Sequence, residues 1–194
     1  MTGRIRGPDI PSMEAVLEEK QRLQKGKSYR RLLAGILSAL LVCGAAVTLA
    51  VTLFFPVLQV TGVSMEPTLG RGTLVLTWKT KQLAAGELCV FYRDNQLLVK
   101  RVIGLPGDVI EIDETGAVSV NGSVLDEPYV SQTALGNCDI TFPYQVPEDS
   151  YFVLGDNRAV SIDSRSSIVG CVSREQITGK VLFKLWPPGP VPSH

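Results

Sequence analysis

From Leu32 to Leu58 the chain carries no Asp, Glu, Lys or Arg, and its only hydroxyl side chains there are Ser38, Thr48 and Thr52. An apolar helix needs about 20 residues to cross the hydrocarbon core of a bilayer, so this run is long enough to span one with some tilt. Gly35, Gly44 and the interspersed alanines suit a membrane helix, and Pro56 gives it a stop. A cleavable export leader would have an apolar core of roughly 7–15 residues and a small-residue exit. Here the run is longer and leaves through Phe54-Phe55-Pro56-Val57. The expectation is a permanent transmembrane helix over residues 32–55.

Charge at the two ends orients that helix. Lys20, Arg22, Lys25, Lys27, Arg30 and Arg31 precede it, and no Lys or Arg follows until Arg71. Positive residues stay on the cytoplasmic side. Residues 1–31 are therefore expected as a cytoplasmic basic tail, with Glu14–Lys27 a short polar helix or a loose segment. Everything from residue 56 onward is expected outside.

The remainder reads as a mostly β domain over residues 56–187. Short apolar runs are broken by Gly, Pro, Asn and Asp, and the candidate strands are Gln59–Val60, Thr73–Thr77, Glu87–Tyr92, Gln96–Val102, Val109–Asp113, Val118–Val120, Tyr151–Leu154 and Lys180–Trp186. Turn signals separate them at Arg93-Asp94-Asn95, Pro106-Gly107-Asp108 and Asn121-Gly122. Ser173–Ile177 alone suggests a helical turn. Many short strands without intervening helices predict a sandwich or partly closed barrel, and the Pro-rich end, 188–194, a flexible tail.

Several function classes drop out. The formal net charge is zero, which leaves no electrostatic footprint for nucleic acid. The single histidine is His194, the last residue, so a base held by a Ser-His-Asp triad or a Cys-His pair is not expected, nor is histidine-ligated zinc. The four cysteines show no paired metal-ligand spacing, and Cys43 falls in the apolar run, which leaves Cys89, Cys138 and Cys171 beyond it. Reduced, buried thiols are the preferred reading, with a Cys138–Cys171 bridge left open. No metal and no cofactor are expected. Carboxylate-pair chemistry stays open on composition, and among nitrogen bases lysine remains.

A lysine serves as a base only when neutral, which needs a large fall from about 10.4; burial supplies up to 3–5 units. Lys100 lies in the apolar run Leu97-Leu98-Val99-Lys100-Arg101-Val102-Ile103. Alternation along a strand turns Lys100 and Arg101 to opposite faces. An edge-strand lysine that reaches solvent fits the same pattern. Ser64 sits in Gly62-Val63-Ser64-Met65-Glu66-Pro67-Thr68, where Gly62 permits close approach of a substrate backbone and Pro67 stiffens the segment. On these residues alone a plain turn serine is the more usual reading.

Three segments together resemble the type I signal peptidase family. They are Gly62-Val63-Ser64-Met65-Glu66-Pro67-Thr68-Leu69, Lys100-Arg101-Val102-Ile103-Gly104-Leu105-Pro106-Gly107-Asp108, and Gly155-Asp156-Asn157-Arg158-Ala159-Val160-Ser161-Ile162-Asp163-Ser164-Arg165. The resemblance implies Ser64 as nucleophile, Lys100 as general base and Ser161 as the group that orients the lysine amine. It implies that Arg101, Asp156, Asp163 and Arg165 brace the site by ion pairs, and that the Ser64 N–H helps bind the oxyanion. Gly62 stands where some members carry a serine that completes the oxyanion hole, as in the Gram-positive-type branch. Lysine at position 100 resembles the bacterial form.

The resemblance also implies the substrate: a signal-peptide-bearing preprotein cut after an Ala-x-Ala pattern. It would lie extended between Gln59, Val60, Thr61 and Gly62 on one side and Leu97, Leu98 and Val99 on the other. Met65 and Leu69 are expected to line pockets, touch lipid or sit in ordinary core. A lipid bilayer and a nearby secretion translocon complete the implied surroundings. Three other readings stand beside this one: a membrane-tethered module without catalysis, a self-cleaving Ser-Lys regulator, and a relative dedicated to one substrate such as a pilin.

Overall fold

The computed structural model describes residues 12–192; His194 and residues 1–11 of the expected basic tail lie outside the described residues. The chain divides into two units, one ending at Ala50 and one running from Val51.

The helix α1 runs Met13–Phe54, starting well before the apolar run. The stretch from Glu14 to Arg31 is rich in Glu, Leu, Gln, Lys and Arg, which cost little in a helix, so the backbone continues through it. Its segment Tyr29–Phe54 has a mean hydropathy of 2.4, long and apolar enough to cross a membrane. Two hydroxyls inside that segment turn onto its own backbone: Ser38 Oγ donates to Gly35 O at 2.9 Å and Thr48 Oγ1 to Gly44 O at 2.9 Å. The helix ends two residues before Pro56, as the steric restriction ahead of proline requires.

Among its described residues the second unit has eleven antiparallel strands. A seven-stranded sheet holds β1 (Val57–Gln59), β2 (Leu74–Trp78), β3 (Leu88–Arg93), β4 (Gln96–Gly104), β9 (Ser150–Leu154), β10 (Val172–Ser173) and β11 (Ile177–Trp186), in the order β1-β2-β11-β3-β4-β9-β10. A four-stranded sheet holds β5 (Val109–Ile112), β6 (Val118–Val120), β7 (Ser123–Val124) and β8 (Tyr144–Gln145), in the order β7-β6-β5-β8. Neither sheet closes on itself: β1 and β10 end one, β7 and β8 the other. The expected partly closed barrel is thus corrected to two open sheets. Each expected strand overlaps an observed one. The short strands β7, β8 and β10 were not expected, because two residues carry no alternation to read. The helical turn expected over Ser173–Ile177 is a tight turn between β10 and β11.

The turn chemistry follows its signals. Asp94 and Asn95 join β3 to β4 with φ of 48° and 61°, and Asn121 and Gly122 join β6 to β7 with φ of 52° and 79°. Both pairs have the positive φ at two successive positions that a tight hairpin twist demands.

Strand β9 decides where the site sits. Tyr151 and Val153 pack into a core with Phe91, Val102 and Ile177, while Phe152 and Leu154 pack into another with Ile110, Val118 and Val146. It is buried on both faces, and Gly155 and Asp156, which leave its end, are buried with it. The expected tail is arranged differently over its described part. Val191 packs against the core of Met65, Leu69 and Val75, and Pro192 O accepts a 2.6 Å bond from Arg101 Nη1.

Candidate active site

Lys100 is on β4, directly across from Cys89 on β3, and both side chains are buried. Its Nζ donates to Ser161 Oγ at 2.8 Å. Burial is the main reason its amine is held low, at about 8 rather than 10.5; the Asp163 carboxylate opposes the shift and the Arg165 guanidinium adds to it. Of the two strand-facing possibilities, the structure has the inward one.

Ser161 and Ser64 meet around Gly155. A Cβ at Gly155 would fall 2.2 Å from Ser161 Oγ and 2.6 Å from Ser64 O, so only glycine fits there. Asn157 N donates to Ser64 O at 3.0 Å, and Asn157 O accepts from Ser161 N at 3.0 Å. Asn157 Nδ2 donates to Val63 O at 3.3 Å. The loop after β9 thereby fixes the backbone of the Ser64 segment and the hydroxyl that holds Lys100. The Ser64 segment is itself wound tightly, with Glu66 N donating to Val63 O at 3.2 Å and Leu69 N to Met65 O at 2.8 Å.

A groove of about 570 Å³ opens beside Ser64. Gln59, Val60, Thr61, Gly62, Met65, Leu97, Leu98 and Val99 all line it, together with Ser64. The structure brings every residue expected to touch substrate to one place. Leu69 is instead wholly buried in core and touches neither groove nor lipid.

The charged residues form buried ion pairs around this site. Arg101 forks onto Asp156 at 2.9 and 2.7 Å, and its Nη1 also donates to Gly86 O at 2.8 Å. Arg165 forks onto Asp163 at 2.8 and 2.9 Å, and Asp163 Oδ2 also accepts from Gly155 N at 2.9 Å. A third pair was not anticipated: Arg158 forks onto Glu127 at 2.8 and 2.5 Å. Its guanidinium lies in the third sequence segment, but nothing in spacing links it to an acid 31 positions away in a loop. All four cysteines are free thiols. Among the described residues no group of His, Cys, Asp and Glu is placed to hold a metal ion.

Comparison with known proteins decides the family. The model described as signal peptidase, peptidase S26, matches residues 32–186, well over half of the chain. The chain belongs to this family. The signal peptidase family comprises serine peptidases and is membrane-associated. Signal peptidase IB of Staphylococcus aureus (strain N315) is 40% identical over 146 residues, covering 65% of this chain and 75% of that protein. Signal peptidase I of Bacillus amyloliquefaciens is 36% identical over 156 residues, covering 73% and 83%. A crystal structure of a signal peptidase I from Enterococcus faecalis V583 matches with a TM-score of 0.42 and 31% identity, over 51% of this chain and 96% of that one.

Proposed function

We propose that Ser64 is the nucleophile and Lys100 the general base of this family member, a serine peptidase that removes signal peptides from preproteins. The observation that carries the assignment is the buried lysine amine, at about 8, bonded to Ser161 Oγ, whose loop also holds the backbone of Ser64 at the groove. An amine at about 8 is neutral in a useful fraction near neutral pH, whereas an exposed lysine is not.

The steps then balance. Neutral Lys100 takes the proton of Ser64 Oγ as that oxygen attacks the carbonyl carbon at the cleavage site, and the carbonyl oxygen becomes an oxyanion. The Ser64 N–H stabilises that oxyanion, a donor of a kind worth about 3–4 kcal/mol. Collapse breaks the C–N bond, and the Lys100 ammonium gives its proton to the leaving amine of the mature protein. Lys100, neutral again, takes a proton from water, whose oxygen attacks the ester. The ester C–O bond breaks, Lys100 returns the proton to Ser64 Oγ, and the signal peptide leaves as a carboxylic acid that gives its proton to solvent. Ser161 keeps the amine aimed through both halves.

An extended signal-peptide segment ending in Ala-x-Ala suits the groove, running between 59–62 and 97–99 and adding to the stretch of β4 before Arg101, which β9 leaves unpaired. The lipid bilayer holds Tyr29–Phe54, with the basic flank in the cytoplasm, the β domain outside and the secretion translocon nearby.

The test is cleavage of an Ala-x-Ala preprotein by the full chain in detergent, followed by mass spectrometry of the new N-terminus. Cleavage after the second Ala, lost in Ser64→Ala and in Lys100→Ala, supports the dyad. Cleavage that survives Lys100→Ala removes it as the base.

A further inference from the structure

Glu127 lies outside the groove, yet its carboxylate is mostly buried, at 7% exposure. It is held from two directions: Arg158 grips it through both Nη atoms, and Tyr129 OH donates to Oε1 at 2.9 Å. Arg158, itself 1% exposed, then reaches back with Nε to Gly155 O at 3.1 Å. Gly155 is therefore clamped at both ends of its peptide geometry. Its N–H goes to Asp163, whose partner is Arg165, and its C=O takes a bond from Arg158, whose partner is Glu127. The flank of its Cα where a side chain would stand is filled by Ser161 Oγ and Ser64 O.

A buried guanidinium without its carboxylate is strongly destabilised and leaves toward water. If Arg158 swings away, Gly155 O loses its side-chain donor, and the loop carrying Asn157 and Ser161 loses one of its two clamps. The bond from Lys100 to Ser161 then loosens. A shift of about 1 Å at a reacting group costs up to roughly a hundredfold in rate.

We propose that Glu127 is a positioning residue for the Lys100 base, acting through Arg158 and Gly155 on Ser161. The proposal rests on the assignment of Ser64 and Lys100 above. It names the Glu127–Arg158 pair as part of the working site rather than a general brace, because Arg158 Nε bonds the carbonyl of Gly155, around which Ser64 and Ser161 meet.

The experiment is a double-mutant cycle on the full chain in detergent micelles, with a peptide carrying an Ala-x-Ala site. Glu127→Gln is expected to lower kcat about tenfold while KM stays within about twofold, the signature of lost alignment rather than lost binding. In a Ser161→Ala background the same substitution is expected to cost less than about twofold more, since the path to Lys100 is already cut. Full additivity of the two losses, or an unchanged kcat in folded Glu127→Gln, overturns the proposal. Should Glu127→Gln melt below the assay temperature, Arg158→Lys enters the same cycle with the same two outcomes; it keeps a cation for Glu127 but removes the Nε donor to Gly155. Ser64→Ala is run alongside. If it retains wild-type cleavage, the underlying assignment fails, whatever the cycle gives.

Discussion

Lys100 Nζ and Ser161 Oγ, 61 positions apart in the chain, are joined by a 2.8 Å hydrogen bond in a place where both side chains are buried. That bond gives the amine a partner that carries no charge. The pKa is consequently set by desolvation against the field of the nearby ion pairs, and not by a salt bridge of its own.

The pH dependence of cleavage follows. Below about 8 Lys100 is increasingly protonated and cannot take the Ser64 proton. The expected kcat/KM rises about tenfold per pH unit on the acid side and levels off above that value. A pH–rate profile checks it; an acid limb centred near 10 would assign Lys100 an ordinary exposed character.

The same shift has a stability consequence of defined sign. The folded-state amine sits below its unfolded value of 10.5, so the unfolded chain binds more protons between about 8 and 10.5. The lysine's destabilising contribution is therefore full below about 8 and fades as pH rises through that window, on the order of 3 kcal/mol at its largest. Lys100→Met is expected to raise the unfolding midpoint at pH 7 while abolishing cleavage. A denaturant melt of the two proteins at pH 7 and pH 10 reads both parts.

The Arg101–Asp156 pair is a second target. Asp156→Asn leaves a fully buried guanidinium without its counter-charge, and about 3–5 kcal/mol of stability should be lost. Asp94→Asn, on the exposed pair with Arg93, should leave the melt unchanged.

Two glycines beside Ser64 make opposite predictions. Gly155→Ala drives a methyl group into Ser161 and the Ser64 backbone, and cleavage should fall by roughly a hundredfold or more. At Gly62 a Cβ would meet only Ser64 N, at 4.0 Å. Gly62→Ser should therefore fold normally, and its hydroxyl is placed beside the N–H proposed for the oxyanion. Cleavage should be retained or rise up to about tenfold.

The cysteines offer a chemical check. Burial pushes the Cys89 thiol up to about 12, so it should resist alkylation at pH 8 until the protein unfolds. Mass spectrometry of alkylated protein, native and denatured, should show Cys89 labelled only in the second sample, with no change on prior reduction.

The sequence by itself determined the apolar helix, the strand-rich character of the rest and the candidate residues. Length without charge, period-two alternation and turn residues are local properties, and Ser64, Lys100 and Ser161 stand in segments that resemble the signal peptidase family. Strand alternation put Lys100 and Arg101 on opposite faces, but that both are buried was decided by the packed structure. The helix start at Met13 was not legible, because polar helix formers carry no boundary signal. Only the tertiary structure decided which way the sheets end, that they stay open, and that β9 is buried on both faces. It alone brought Glu127 to Arg158, and Pro192 to Arg101. Pairing of this kind depends on which buried charges the packed core leaves without water, and that is settled by the whole fold rather than by any stretch of chain.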